Sequence, residues 1–265
     1  MKAGIRLIAL LVSMASACIF ADDAQWEVGA GIGTISIPHY PGSDESLELI
    51  LPVPYRSYKD DRTKIDRNGL NYDLLGIDDL DLSFSAGFGL PIKSDDNKAR
   101  EGMTDLDPVL EIGPALKYWL FNDPTNQLSI ELPIRTALAF NDTSMRQQGF
   151  TGDLKLNYSH QYQGWKFNTF YRILYADKKY HQQYYQVEQQ YVTPDRSFYL
   201  AKKGFSGDAI GVSISKRFGE FYIGIYTRYE NLSNAVNKDS PLIKSTDNLY
   251  FSAVFSWVFA SSEYQ

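Results

Sequence analysis

Apolar and polar side chains alternate with a period of two along most of this chain, and the alternation resolves into eleven strand-like segments. They run from Trp26 to Ile35, Leu47 to Tyr58, Thr63 to Leu74, Leu80 to Leu90, Pro108 to Phe121, Gln127 to Ala139, Phe150 to Gln163, Trp165 to Ala176, Asp208 to Phe218, Glu220 to Asn231 and Asn248 to Phe259. The last places Leu249, Phe251, Ala253, Phe255, Trp257 and Phe259 on one face, with Tyr250, Ser252, Val254, Ser256 and Val258 on the other. Such a pattern specifies a strand, because a helix would mix the two sets on every face.

The face opposite the apolar one collects Glu111, Lys117, Glu131, Arg135, Lys155, Lys166, Arg172, Arg217, Arg228 and Glu230. A soluble sandwich would turn these charges to water. A membrane barrel must turn them into its lumen, since a lipid-facing Lys or Arg near the midplane costs on the order of 2 to 4 kcal/mol. Three features favour the barrel. Segments of nine or more residues suit tilted membrane strands, whereas soluble strands average about five or six. Aromatics gather near segment ends, as in Trp119 with Phe121, Tyr158 with Tyr162, and Trp257 with Phe259, resembling interfacial girdles. Tight connections at Asn122 to Asn126, Gly164 and Gly219 contrast with long ones at Asp177 to Gly207 and Leu232 to Asp247, the asymmetry of periplasmic turns and outer loops.

The expected fold is therefore all-β, an antiparallel transmembrane up-and-down β-barrel. A bacterial single-chain barrel has an even number of strands, so eleven segments predict twelve, with ten as the alternative. A hidden strand would lie around Gln182 to Val187 or in the N-terminal third. The stretch from Lys178 to Lys203, with Tyr180, Tyr184, Tyr185, Tyr191 and Tyr199 among glutamines, suggests a folded outer hairpin, with a solvated loop as the alternative.

The N-terminus fits export. Lys2 and Arg6 precede the apolar run Leu7 to Val12, and the small residues from Ser13 to Ala21 offer cleavage after Ala21. Asp22 and Asp23 end the run too early for a membrane helix. Acylation at Cys18 is the other option, although Ala15 is a poor match to the large aliphatic residue such sites carry. The expected organisation is a signal peptide at 1–21 and one barrel domain at 22–265. Cleavage after Ala21 would remove the only cysteine and with it any internal disulfide.

Composition sharpens this. Nineteen Tyr, fifteen Phe and four Trp accompany no later apolar stretch long enough for a membrane helix. The net charge of −6 argues against a nucleic-acid partner. Catalytic and cofactor signatures do not emerge. Alternation puts His160 with Leu154, Leu156 and Tyr158 while Ser159 faces away, so the two cannot form a nucleophilic pair, and His160 suits an interfacial belt. Asp60-Asp61, Asp78-Asp79 with Asp81, and Asp95-Asp96 do not follow a calcium loop; as solvated acids they would still let outer loops bridge to lipopolysaccharide phosphates through divalent cations. Gly29, Gly31 and Gly33 lie within a strand and do not lead into a helix, so they do not form a phosphate loop. Neither cofactor nor metal is expected.

Tyr40-Pro41-Gly42-Ser43-Asp44 followed by Pro52-Val53-Pro54-Tyr55 resembles the MipA/OmpV family of outer-membrane proteins. The resemblance continues in order through Ala99-Arg100-Glu101-Gly102-Met103, Asp105-Leu106-Asp107, Glu111-Ile112-Gly113-Pro114, Tyr180 to Val187 and Asp239-Ser240-Pro241-Leu242-Ile243. It implies an outer-membrane barrel in contact with lipid and lipopolysaccharide. It further implies a non-enzymatic scaffold of the cell envelope linking a murein transglycosylase to a murein-synthesising penicillin-binding protein. The residues themselves leave a second function open. Charges on the lumen face would either form an ion-pair network that plugs the barrel or line a narrow, anion-favouring channel. At the C-terminus Phe255, Trp257 and Phe259 form a candidate assembly signal, although Ala260 to Gln265 follow it where family members usually end near the aromatic.

Overall fold

A computed structural model describes residues 25–59, 63–66, 69–72, 79–141 and 144–262. The leader, its cleavage site and Cys18 lie outside these residues, as do Asp60, Asp61 and Asp78. Among the described residues twelve antiparallel strands close into a barrel, each hydrogen-bonded to its neighbours in sequence and the last to the first. Ten are long: β1 Gln25–Pro38, β2 Ser46–Lys59, β5 Leu80–Gly89, β6 Val109–Asn122, β7 Asn126–Phe140, β8 Met145–Tyr162, β9 Trp165–Ala176, β10 Gly204–Phe218, β11 Phe221–Asn231 and β12 Asp247–Ser261. Between β2 and β5 lie two four-residue strands, β3 Thr63–Asp66 and β4 Gly69–Tyr72.

The odd count is thus resolved in the N-terminal third, where the described residues of the segment expected at Thr63 to Leu74 form two strands and not one, while 67–68 and 73–74 lie outside the described residues. Gln182 to Val187 holds no hidden strand. Its first four residues instead end a helix, α1, at Lys178–Tyr185, and Val187 makes only an isolated bridge. A tilted strand crosses the hydrocarbon layer in roughly 9–11 residues, so the 18 residues of β8 project beyond it. Among the described residues no helix is long and apolar enough to cross a membrane.

Burial follows the alternation. Leu132, Ile134, Phe150, Leu154, Leu156, Phe167, Ile210, Ile225 and Leu249 are exposed on the outside of the barrel, while Ser129, Arg135, Thr151, Asp153, Glu230 and Ser256 are buried inside it. This inversion of the soluble pattern is what lipid as solvent requires. At the closing seam Gly29 and Gly31 face the lumen, and a Cβ on them would lie 2.3 Å from the Trp257 carbonyl oxygen and 2.2 Å from that of Phe255. Only glycine lets β12 approach β1 so closely there.

Candidate functional site

The lumen holds a cavity of about 1600 Å³. Nine of the ten charges grouped by alternation line it: Glu111, Lys117, Glu131, Arg135, Lys155, Lys166, Arg172, Arg228 and Glu230. Arg217 pairs near the end of β10 with Glu27 of β1 at 3.5 Å, spanning β11 and β12. Glu27 also accepts from the Tyr55 hydroxyl at 2.6 Å, and Tyr55 meets Tyr222 with ring centroids 5.3 Å apart. This strut crosses one sector of the lumen near its turn end.

The wall formed by β6 to β9 carries the densest network. Arg135 donates through Nη2 to Asp153 and through Nη1 to Ser85 Oγ at 2.9 Å, and its Nε stands 3.4 Å from Glu111. Lys117 is opposite Glu131 in the β6–β7 register, while Glu131 lies 3.8 Å from Lys155 of β8. Arg172 donates to Glu230 at 2.9 Å across the intervening β10, where the small Ala209 lies between them. Glu230 also accepts from the Tyr250 hydroxyl at 2.8 Å, and the Arg228 guanidinium lies 3.6 Å from the Tyr250 ring centroid.

Asp153, 5% exposed, is the residue that sequence reasoning missed. Its parity with Lys155 was the available signal. Trp119 differs from expectation as well: it turns into the lumen, where its indole N–H donates to Asp81 at 2.7 Å and Lys117 stands 4.6 Å from its ring. The half-buried acceptor Asp81 outweighs the interfacial preference of the indole.

The outer mouth is filled by loops. Asp177 caps α1 by accepting from the Tyr180 N–H at 2.8 Å, and spacing puts Tyr180, His181, Tyr184 and Tyr185 on its buried face. These pack with Tyr40, Ile92, Leu106, Val187 and Leu242 against the lumen-facing Val109, Ala137, Ala139 and Ala176. The region expected as a hairpin is therefore α1, a short 3-10 turn at Gln189–Tyr191 and two isolated antiparallel bridges, Val187 with Tyr199 and Thr193 with Arg196. Gly149 of β8 makes the docking possible: its φ is +111°, and a Cβ would meet Asp177 Oδ1 at 2.2 Å.

The cap is tied down by polar contacts. The Tyr180 hydroxyl donates to Glu111 at 2.7 Å; burial first, and the Glu111 charge second, raise its pKa well above the ordinary range, so it remains a donor. Arg196 donates to the carbonyls of Ala99, Glu101 and Tyr191, and Arg100 to those of Tyr184 and Thr104. His181 is fully buried between the Lys202 carbonyl and Ser206 Oγ, and burial lowers its pKa. His160 lies outside the barrel, stacked near Tyr162 and Phe167, with Nδ1 2.9 Å from Asn126. Among the described residues no three His, Cys, Asp or Glu side chains converge as metal ligands. Phe255, Trp257 and Phe259 all face outward, each about half exposed.

The sequence profile described as "MltA-interacting protein MipA" matches residues 30–259, nearly all of the barrel. The chain belongs to the MipA family. As a MipA-family barrel it resides in the bacterial outer membrane. No curated protein matches it in sequence. Solved structures similar to this MipA-family chain include the NanC porin, at 10% identity over 88% of this chain and 98% of that one, with a TM-score of 0.37. An outer membrane channel from Pseudomonas putida F1 shares 12% identity over 92% and 98% of the two chains, with a TM-score of 0.38. The outer membrane protease OmpT from Escherichia coli shares 10% over 92% and 99%, with a TM-score of 0.32. Likenesses this distant carry no functional argument.

Proposed function

We propose that this protein is a non-enzymatic scaffold of the cell envelope, a capped barrel that holds periplasmic murein enzymes at the outer membrane. The observation that carries this reading is the cap: Tyr40, Tyr180, Tyr184, Tyr185, Val187 and Leu242 pack to core-like burial in the outer mouth. A freely conducting pore has no use for an apolar core across its entrance, because such packing excludes the water that ions need. Ion pairs in the lumen then stiffen the wall. A partner would bind from the side of the short turns, around Asp123, Gln163 and Gly219. The family description supports a transglycosylase of the MltA type as that partner, and the resemblance read from the sequence adds a murein synthase as the second. Crosslinking in intact cells from cysteines placed at these turns should recover murein enzymes; recovery of none removes the reading's main support.

The cavity of about 1600 Å³ and its polar lining favour a second reading, a narrow solute channel whose cap moves. This predicts conductance in planar bilayers that changes with Arg135→Glu or Arg172→Glu. A bilayer that stays sealed with assembled protein rejects it.

A further inference from the structure

Five lysines converge at the outer end of the β9–β10 pair. Lys178 and Lys179 open α1 directly after β9, while Lys202 and Lys203 directly precede β10. The ladder ends by pairing Ala176 with Gly204, so both lysine pairs leave the sheet at the same place. Lys238 joins them, because the neighbouring Asn237 accepts from the Lys202 N–H at 2.8 Å and donates to the Lys202 carbonyl at 3.0 Å. All five are exposed. Among the described residues none forms an ion pair, and Lys179 has only a hydrogen bond to Gln147, at 3.0 Å. Two acids adjoin them among the described residues, Asp177, whose carboxylate caps α1, and Asp239 beside Lys238, so the lysines outnumber them five to two. The patch is thus strongly basic on a chain whose net charge is −6.

Its flank is apolar. Tyr175 and Phe205 meet edge to face immediately below, with ring centroids 5.8 Å apart, on the side of the barrel that faces lipid. The stretch leading into Lys202 exposes Phe198 and Leu200, 49% and 52% accessible. Cations above aromatic rings at the rim of a membrane strand mark the boundary between headgroups and acyl chains. Exposed apolar groups beside the charges fit an amphiphile better than a free anion.

We infer that this rim is a docking site for the phosphorylated glycolipid of the outer leaflet, lipopolysaccharide. The lysines take its phosphates, and Tyr175, Phe205, Phe198 and Leu200 lie against the upper acyl chains. The inference rests on the outer-membrane placement of the barrel and is independent of the scaffold reading. Multivalency makes it effective, since several weak lysine contacts on one lipid add up where a single surface lysine would be screened.

The test compares the full-length barrel with Lys178→Gln/Lys179→Gln/Lys202→Gln/Lys203→Gln, both assembled by the criterion of heat-modifiable migration and titrated with lipopolysaccharide by native mass spectrometry. Loss of four cations should weaken binding at least about tenfold. Enzymatically dephosphorylated lipopolysaccharide should bind the unaltered barrel as weakly as the intact lipid binds the variant. Lys216→Gln, at the opposite end of β10 against Trp165, should change nothing. Equal affinity of barrel and variant overturns the proposal. So does displacement of the lipid by millimolar inorganic phosphate, which would show a plain anion site, or equal binding of phosphatidylglycerol, which would show a generic anionic surface. Fractionation of the assembled protein away from the outer membrane would instead refute the placement, a result the titration does not share.

Discussion

Arg135 is the residue on which the lumen network turns. It is 8% exposed and holds Glu111 and Asp153 at once, so replacing it leaves the buried Asp153 and the half-buried Glu111 carboxylates without their cation. Arg135→Leu should cost roughly 3 kcal/mol of barrel stability, read from urea unfolding in micelles, while Asp153→Asn should cost less because Glu111 keeps its partner. Equal losses from both would mean that Glu111 and Arg135 are not coupled. His181 offers a pH-dependent test in the cap. Burial lowers its pKa, so the opened cap takes up the proton before the seated one does. Cap stability is therefore full above the ordinary histidine range near about 6.5 and falls as pH drops from there toward the lowered value. Hydrogen exchange across residues 178–203 should speed up on acidification beyond its intrinsic pH dependence, and His181→Gln should abolish that excess.

At the scale of elements, strands and cap differ in how far they could be read from the chain. Period-two alternation is imposed by the contrast between lipid and lumen, so the faces of β7 and β11, and of β6 up to the register shift at Trp119, are legible residue by residue, down to the parity that puts Arg228 and Glu230 inside. β3 and β4 read as one strand from the sequence because four-residue strands are too short to show a period. The cap is less legible still. Eight residues rich in Tyr and Gln look polar on average, and only the Asp177 cap with Tyr180, His181, Tyr184 and Tyr185 betrays a helix with one buried face. Its partners Tyr40, Ile92, Leu106 and Leu242 come from three other loops, contacts that no local pattern contains. If the cap is what seals the mouth, replacing residues 178–203 with a short Gly-Ser turn should produce conductance in planar bilayers where the complete barrel shows none. Gly149→Ala should loosen the cap without breaking β8, since its Cβ would strike Asp177 Oδ1, and protease nicking within residues 178–203 should rise accordingly.

The whole barrel depends on one closure, the pairing of β12 with β1. Phe255, Trp257 and Phe259 stand on the lipid side of this seam, and the aromatic pair Trp257 and Phe259 has centroids 5.6 Å apart. Pairing does not end at Phe259. Ala260 and Ser261 are still in register with Val28 and Glu27, and Ser262 Oγ accepts from the Trp26 N–H at 3.1 Å. Two functions that the sequence placed on one short segment therefore separate: the outward aromatics offer a recognisable lipid-facing end, while the residues beyond them fasten the last turn of the seam. Ending the chain at Phe259 should leave assembly intact but lower the temperature at which the heat-modifiable form is lost, because two ladder positions and one hydrogen bond go. Phe259→Asp should act differently, placing a charge on the lipid face and reducing the assembled fraction in outer membranes while leaving the ladder pairs available. A truncated chain that fails to assemble would assign the signal to the tail; full assembly of Phe259→Asp would remove Phe259 from the signal altogether.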